Sequence, residues 1–203
     1  MRLADASSRN EPPAAGWERW VEAKVLRSDG SSEVATAKAA VVWLTGLSGA
    51  GKSTIGAALR DRLTATGAQV EYLDGDALRE AFPGTGFTRE ARDAHVRRVG
   101  YLASRLEHHG VIVVCALISP YEEARRFVRA QCRRFIEVHV STPIEECERR
   151  DPKGLYARAR RGELTHFTGI DDPYEAPPAP EVTIDTRVVS VAAAVDLIVG
   201  ALR

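Results

Sequence analysis

Apolar residues fall in short, dense runs separated by longer amphipathic stretches. Val41-Val42-Trp43-Leu44 is an unbroken apolar run, the pattern of a strand buried on both faces. The spacing then predicts a helix over 52–66, stopped by Gly67, and a second strand over 69–73. A long helix over 89–109 ends at Gly110. Residues 111–118, β-branched and almost wholly apolar, carry the strongest strand signal. A helix over 121–132 and a strand over 135–140 follow, and Pro143 suits the first turn of a short helix. Residues 182–184 form a short last strand and 189–202 a closing helix. This alternation predicts an α/β fold, a parallel sheet with helices on both faces.

Residues 1–38 differ. They are rich in Ala, Ser, Glu and Arg, with Pro12-Pro13 and the turn-like Ser28-Asp29-Gly30. Trp17 and Trp20, three apart, would share a face of a short helix. This arm packs on the domain, packs on a second subunit, or stays partly disordered; the pattern leaves all three open. Residues 39–203 are expected to form one domain, which suits the length of 203 residues.

Apolar residues make up 44% and charged residues 28%, which argues against a disordered chain. Cationic and anionic side chains balance, so nothing favours a nucleic-acid or membrane-surface partner. No apolar run is long enough to span a bilayer, and residues 1–13 lack a signal-peptide core, so a cytoplasmic protein is expected. Cys115, Cys132 and Cys147 have no metal-ligand spacing and fit inert thiols of a reducing compartment.

The first strand runs straight into Gly46-Leu47-Ser48-Gly49-Ala50-Gly51-Lys52-Ser53-Thr54, which is G-x-x-x-x-G-K-[ST] with a strand before and a helix after. Glycines let backbone N–H groups approach phosphate oxygens, and the helix N-terminus favours an anion. Lys52 can reach the outer phosphates, and the Ser53 hydroxyl can ligate Mg²⁺. This points to a P-loop NTPase fold binding ATP. A glycine-rich turn without ligand is the bland alternative, which the flanking elements disfavour.

Four further features point to a small-molecule kinase. The second strand ends in Asp74-Gly75-Asp76, followed by Arg79, at the sheet edge where open α/β folds bind ligands. One carboxylate could hold Mg²⁺ and the other orient an attacking hydroxyl, although turns often contain such a tripeptide. The third strand ends in Ile118-Ser119-Pro120, and Ser119 either touches the transferring phosphate or caps the next helix. Arg92 and His95 share a helical face, where arginine suits phosphate or sulfate; Arg97 and Arg98 fit a solvated face. A basic, glycine-punctuated stretch from Arg149 to Arg161, with Phe167-Thr168-Gly169 beyond it, fits a nucleotide-kinase-like lid or a plain surface loop.

Taken in order, these blocks resemble the adenylylsulfate kinase family. They are Trp43-Leu44-Thr45 with the phosphate loop, Leu73-Asp74-Gly75-Asp76 with Arg79, Gly86-Phe87-Thr88, Arg92-Asp93 and Ala116-Leu117-Ile118-Ser119-Pro120-Tyr121. The most specific runs from Arg150-Asp151-Pro152-Lys153-Gly154-Leu155-Tyr156 to Phe167-Thr168-Gly169-Ile170-Asp171-Asp172-Pro173-Tyr174-Glu175. The resemblance implies transfer of the γ-phosphoryl of ATP to adenosine 5′-phosphosulfate (APS), giving 3′-phosphoadenosine 5′-phosphosulfate (PAPS). It further implies that Asp76 and Arg79 hold the acceptor ribose and its charged group, and that Phe87 and Phe167 clamp the adenine. Arg92, His95 and Lys153 would bind the phosphosulfate, with Ile118 and Ser119 lining the pocket. The serine matching Ser119 is described in the family as a phosphoserine intermediate; direct in-line transfer is physically sufficient. A homodimer and a possible ATP sulfurylase partner are also implied. His95 stands where the family usually has Asn, Ala91 replaces a common acidic residue, and the 82–86 loop is unusual. The competing readings are a kinase of the same fold with another nucleotidyl or sugar-phosphate acceptor, and a non-catalytic nucleotide-binding regulatory module.

Overall fold

The computed structural model describes residues 38–82 and 86–203. The N-terminal arm with Trp17 and Trp20, and most of the 82–86 loop, lie outside the described residues. Five parallel strands, β1 (Val41–Thr45), β2 (Val70–Asp74), β3 (Ile112–Ala116), β4 (Phe135–Val140) and β5 (Val182–Ile184), are ordered β2-β3-β1-β4-β5. The helices among the described residues are α1 (Lys52–Thr64), α2 (Gly75–Ala81), α3 (Arg89–His108), α4 (Glu122–Gln131), α5 (Ile144–Arg150), α6 (Leu155–Arg160) and α7 (Val191–Ala201).

β1 is central. Val42 pairs with Val114 on one side and Ile136 on the other. Because side chains alternate along a strand, Val42 and Leu44 enter one core with Ile55, Leu59, Val138 and Ile198. Val41 and Trp43 enter the other with Val96, Val99, Val113 and Val128. The helices therefore cover both faces, as the alternating pattern predicts, and all the strands point their carboxyl ends at one edge.

Two differences from the sequence reading matter at that edge. The strand over 111–118 stops at Ala116, because Ser119 turns into the left-handed region at φ 39°. Two short helices were not foreseen. α2 starts directly after β2, where the Asp74 carboxylate accepts from the N–H groups of Asp76 and Ala77 and so caps it. α6 forms within the basic stretch, where the Asp151 carboxylate accepts from the N–H groups of Tyr156 and Ala157.

α3 and α4 cross closely at Gly100, where an added Cβ would lie 2.2 Å from Val128 Cγ2. Gly100→Ala should therefore cost about 1–3 kcal/mol through overpacking against roughly 1 kcal/mol gained in helix propensity, a net fall in unfolding free energy of up to about 2 kcal/mol. Urea denaturation measures this, and a more stable variant would contradict the packing.

Candidate active site

The phosphate loop leaves β1 at Gly46, whose φ is 152° and where a Cβ would lie 2.4 Å from the Val140 carbonyl oxygen. Only glycine fits there. Gly49 and Gly51 also adopt positive φ, at 74° and 108°. No side chain caps α1, so its first-turn N–H groups remain available to an anion. Lys52 is buried, and its Nζ donates to the carbonyls of Gly46 (3.0 Å) and Leu47 (2.7 Å). Burial pushes its pKa down to about 8, against the pull of Cys147, Asp76 and Asp74.

Ser53 Oγ and Tyr72 OH both donate to Asp74 Oδ2, each at 3.1 Å. Desolvation raises the Asp74 pKa, but the N–H groups of Asp76 and Ala77 and these hydroxyls outweigh it and hold the group below the usual range. Asp74 is thus a carboxylate beside the Ser53 hydroxyl, two oxygens suited to a hard cation.

A cavity of about 970 Å³ joins this loop to the acceptor candidates. It is lined by Ser48, Gly49, Gly51, Lys52, Ser53 and Thr54 together with Asp74, Asp76, Arg79, Phe87, Arg92, His95, Ile118, Ser119, Lys153 and Phe167. Among the loop residues Gly46 and Ala50 lie behind it, and Leu47 faces a second concavity of about 700 Å³ with His139 and Tyr174. That second space contains no other sequence candidate.

On the acceptor side, Lys153 pairs with Asp76. Arg79 donates to the Gly86 carbonyl at 2.9 Å, and its guanidinium lies 4.8 Å from the Phe87 ring centre. Phe87 is exposed, whereas Phe167 is buried edge-on against Tyr156, 5.0 Å between ring centres. Arg92 is buried; it donates to the carbonyls of Phe87 (2.8 Å) and His166, and its Nε lies 3.9 Å from Asp172 Oδ2. It therefore ties together the two phenylalanine-bearing segments, a contact that helical spacing did not reveal. His95 is 1% exposed, and neither ring nitrogen has a hydrogen-bond partner among the described residues. Burial and the Arg79 cation push its pKa down to about 4; the Gly75 backbone opposes this without reaching hydrogen-bond geometry. His95 is neutral at physiological pH and offers hydrogen bonds, not charge.

Ser119 is 2% exposed. Its Oγ accepts from Trp43 Nε1 and donates to Thr45 Oγ1, both at 3.0 Å. It does not cap α4, whose N-cap is Tyr121 without a side-chain bond, so the capping alternative is wrong.

A family model for adenylylsulphate kinase matches residues 38–185. The chain belongs to the adenylylsulphate kinase family. A curated adenylyl-sulfate kinase from Synechococcus sp. (strain JA-3-3Ab) is 51% identical over 163 residues, spanning 80% of this chain and 93% of that protein. The solved APS kinase of Mycobacterium tuberculosis in complex with AMPPNP and APS superposes with a TM-score of 0.78 at 38% identity, covering 81% of this chain and 98% of that one. A hexameric APS kinase from Thiobacillus denitrificans matches with a TM-score of 0.62 at 36% identity, covering 82% of this chain and 29% of that one. This family member is accordingly a kinase with the P-loop fold.

Several groups at the kinase site had escaped the sequence reading. Trp43 and Thr45 grip Ser119 from the sheet, and Arg150 bonds Thr186 Oγ1 at 2.7 Å. Each partner is distant in sequence and lies in no local motif.

The lowered Lys52 pKa has a kinetic consequence. The ammonium is lost as pH rises through about 8, so kcat/KM for ATP should fall above that pH. Bound phosphates raise the pKa, so the corresponding limb in kcat should lie higher. A kcat/KM profile that stays flat to about pH 10 would contradict this, because the free ammonium ordinarily titrates only there.

Proposed function

We propose that the chain transfers the γ-phosphoryl group of ATP to the 3′-hydroxyl of APS, giving ADP and PAPS. The observation that carries this reading is the single cavity, in which the phosphate loop and the whole acceptor set meet. The loop amides and Lys52 neutralise the triphosphate, and Asp76 accepts a hydrogen bond from the attacking hydroxyl and orients it. Phe87 and Phe167 hold the acceptor base. Arg79, His95 and Lys153 meet its ribose and phosphosulfate, with Ile118 and Ser119 beneath. Lys153 leaves Asp76 for the substrate anion, which frees the carboxylate for the hydroxyl.

Ser53 and Asp74 fit Mg²⁺, a hard ion that takes few protein oxygens and keeps waters and substrate phosphates. Bound there, the ion would supply charge neutralisation on the phosphate oxygens. Ser119 acts as a support, since its hydroxyl is buried and engaged on both sides. A direct displacement needs only positioning and charge neutralisation.

A homodimer, an ATP sulfurylase partner and a cytoplasmic location belong to the same reading. Among the described residues no helix is long and apolar enough to cross a membrane. The His95 imidazole, unpartnered among the described residues, favours a second reading, a kinase for another nucleotidyl or sugar-phosphate acceptor. Assembled Lys52, Ser53, Asp74 and Asp76 speak against a non-catalytic module.

The test is ADP release from MgATP with and without micromolar APS, with the product identified by mass. Strong APS dependence and a PAPS product are expected; ATP binding without APS dependence would sink the reading. Asp76→Ala should lower kcat by about 10²- to 10⁴-fold, the usual scale for a positioned acid–base group. Ser119→Ala removes two hydrogen bonds of about 1 kcal/mol each, so kcat should drop no more than about 30-fold. Intact-mass spectrometry of ATP-treated enzyme should show no phosphoserine, and a trapped phosphoserine with an inactive alanine variant would contradict this.

A further inference from the structure

The segment from His166 to Glu175 runs from the cavity to the start of α4, and a buried arginine holds it at each end. At the near end Arg92 takes the His166 carbonyl. At the far end stands Arg125, on α4 and 2% exposed, which lines no part of the cavity. Its Nε donates to Glu137 Oε1 at 2.9 Å, its Nη1 to the Ser119 carbonyl at 2.7 Å and its Nη2 to the Glu175 carbonyl at 2.7 Å. One planar guanidinium thus joins three segments: β4, the turn after β3, and the end of the strap. Lesser bonds zip the same junction. The Glu175 N–H donates to the Pro120 carbonyl at 2.8 Å, Tyr121 OH donates to Asp172 Oδ2 at 2.8 Å, and the Glu122 N–H donates to Glu175 Oε2 at 2.7 Å.

A buried ion pair is a poor way to gain stability, because desolvation offsets the attraction and an apolar pair of similar volume packs as well. What an apolar pair cannot do is bind two loop carbonyls at a fixed separation. Lysine cannot do it either, since its compact ammonium lacks the planar fork. Ser119 adds a second sign, a non-glycine residue held at φ 39° while its carbonyl is gripped by Arg125. Such a conformation persists only where its surroundings over-determine it.

We propose that Arg125, locked by Glu137, is a positioning residue of the kinase reaction. It sets the spacing between the Ser119 turn and the strap that carries Phe167, and so the width of the acceptor half of the cavity. The inference rests on the acceptor-site reading given above. Its signature is selective: acceptor binding depends on the tie, whereas the phosphate loop, built on β1 and α1, does not.

The test uses the full chain carrying Arg125→Met with Glu137→Leu, which removes both buried charges, and Arg125→Lys as a second variant that keeps the cation. In either folded variant KM for APS should rise about tenfold or more, as for a misplaced binding wall, while KM for MgATP changes less than about twofold. Amide hydrogen exchange at Glu122 and Glu175 should accelerate. A folded variant with wild-type KM for both substrates, or with both KM values raised alike, would overturn the proposal. If the wild-type enzyme itself shows no APS dependence, the substrate reading has failed instead. The exchange measurement then still decides the tie, and unchanged exchange at Glu122 and Glu175 would overturn it.

Discussion

The site depends on how the central strand ends. β1 is buried along its whole length between β3 and β4, so its position is set by two ladders and two cores at once. At its end the chain must pass the Val140 carbonyl so closely that only Gly46 fits. The loop that follows is therefore placed by the rigid centre of the fold. The loop backbone is thus held in place before a phosphate chain arrives, and Lys52 needs only to exchange the Gly46 and Leu47 carbonyls for phosphate oxygens.

The acceptor half is assembled differently. It draws on the end of β2, the start of α3, the turn after β3 and the strap around Phe167, none of which alone forms a site. Buried polar side chains bind these pieces to one another. Trp43 and Thr45 reach from β1 to Ser119, Arg92 spans the two phenylalanine segments, and Arg125 spans the Ser119 turn and Glu175. The two arginines donate to backbone carbonyls and Trp43 and Thr45 engage the Ser119 hydroxyl, so none of these ties uses Asp76 or Lys153, the cavity's own charged groups. The nitrogens of His95, without a hydrogen-bond partner among the described residues, belong to this half as well. A buried imidazole without partners carries a desolvation cost that a bound hydrogen-bonding group can relieve.

What could be read from the sequence followed this division. The phosphate loop was legible because its chemistry is contiguous, with glycine, lysine and serine at fixed spacing between a strand and a helix. The parallel sheet was legible because doubly buried strands leave unbroken apolar runs. Arg92 and His95 were placed on one face by helical spacing alone. The carbonyls that Arg92 serves were not foreseen, because one of them is 74 residues away. Arg125 reads as one arginine among several on an amphipathic helix, since its partners on β4 and the strap are brought to it only by the fold. The apolar pattern runs past the end of β3 at Ala116, because Leu117 and Ile118 are as apolar as what precedes them. The turn there is enforced by tertiary contacts at Ser119, which no local propensity records.

The central mechanistic proposal is that the phosphoryl group passes directly between substrates above a serine that only supports the floor. The stereochemical course at phosphorus tests this most directly, using ATP made isotopically chiral at the γ-phosphate and APS as acceptor. A single in-line displacement predicts inversion of configuration in the 3′-phosphate of the product. Retention would require two displacements through an enzyme-bound phosphate, and would contradict the supporting role given to Ser119.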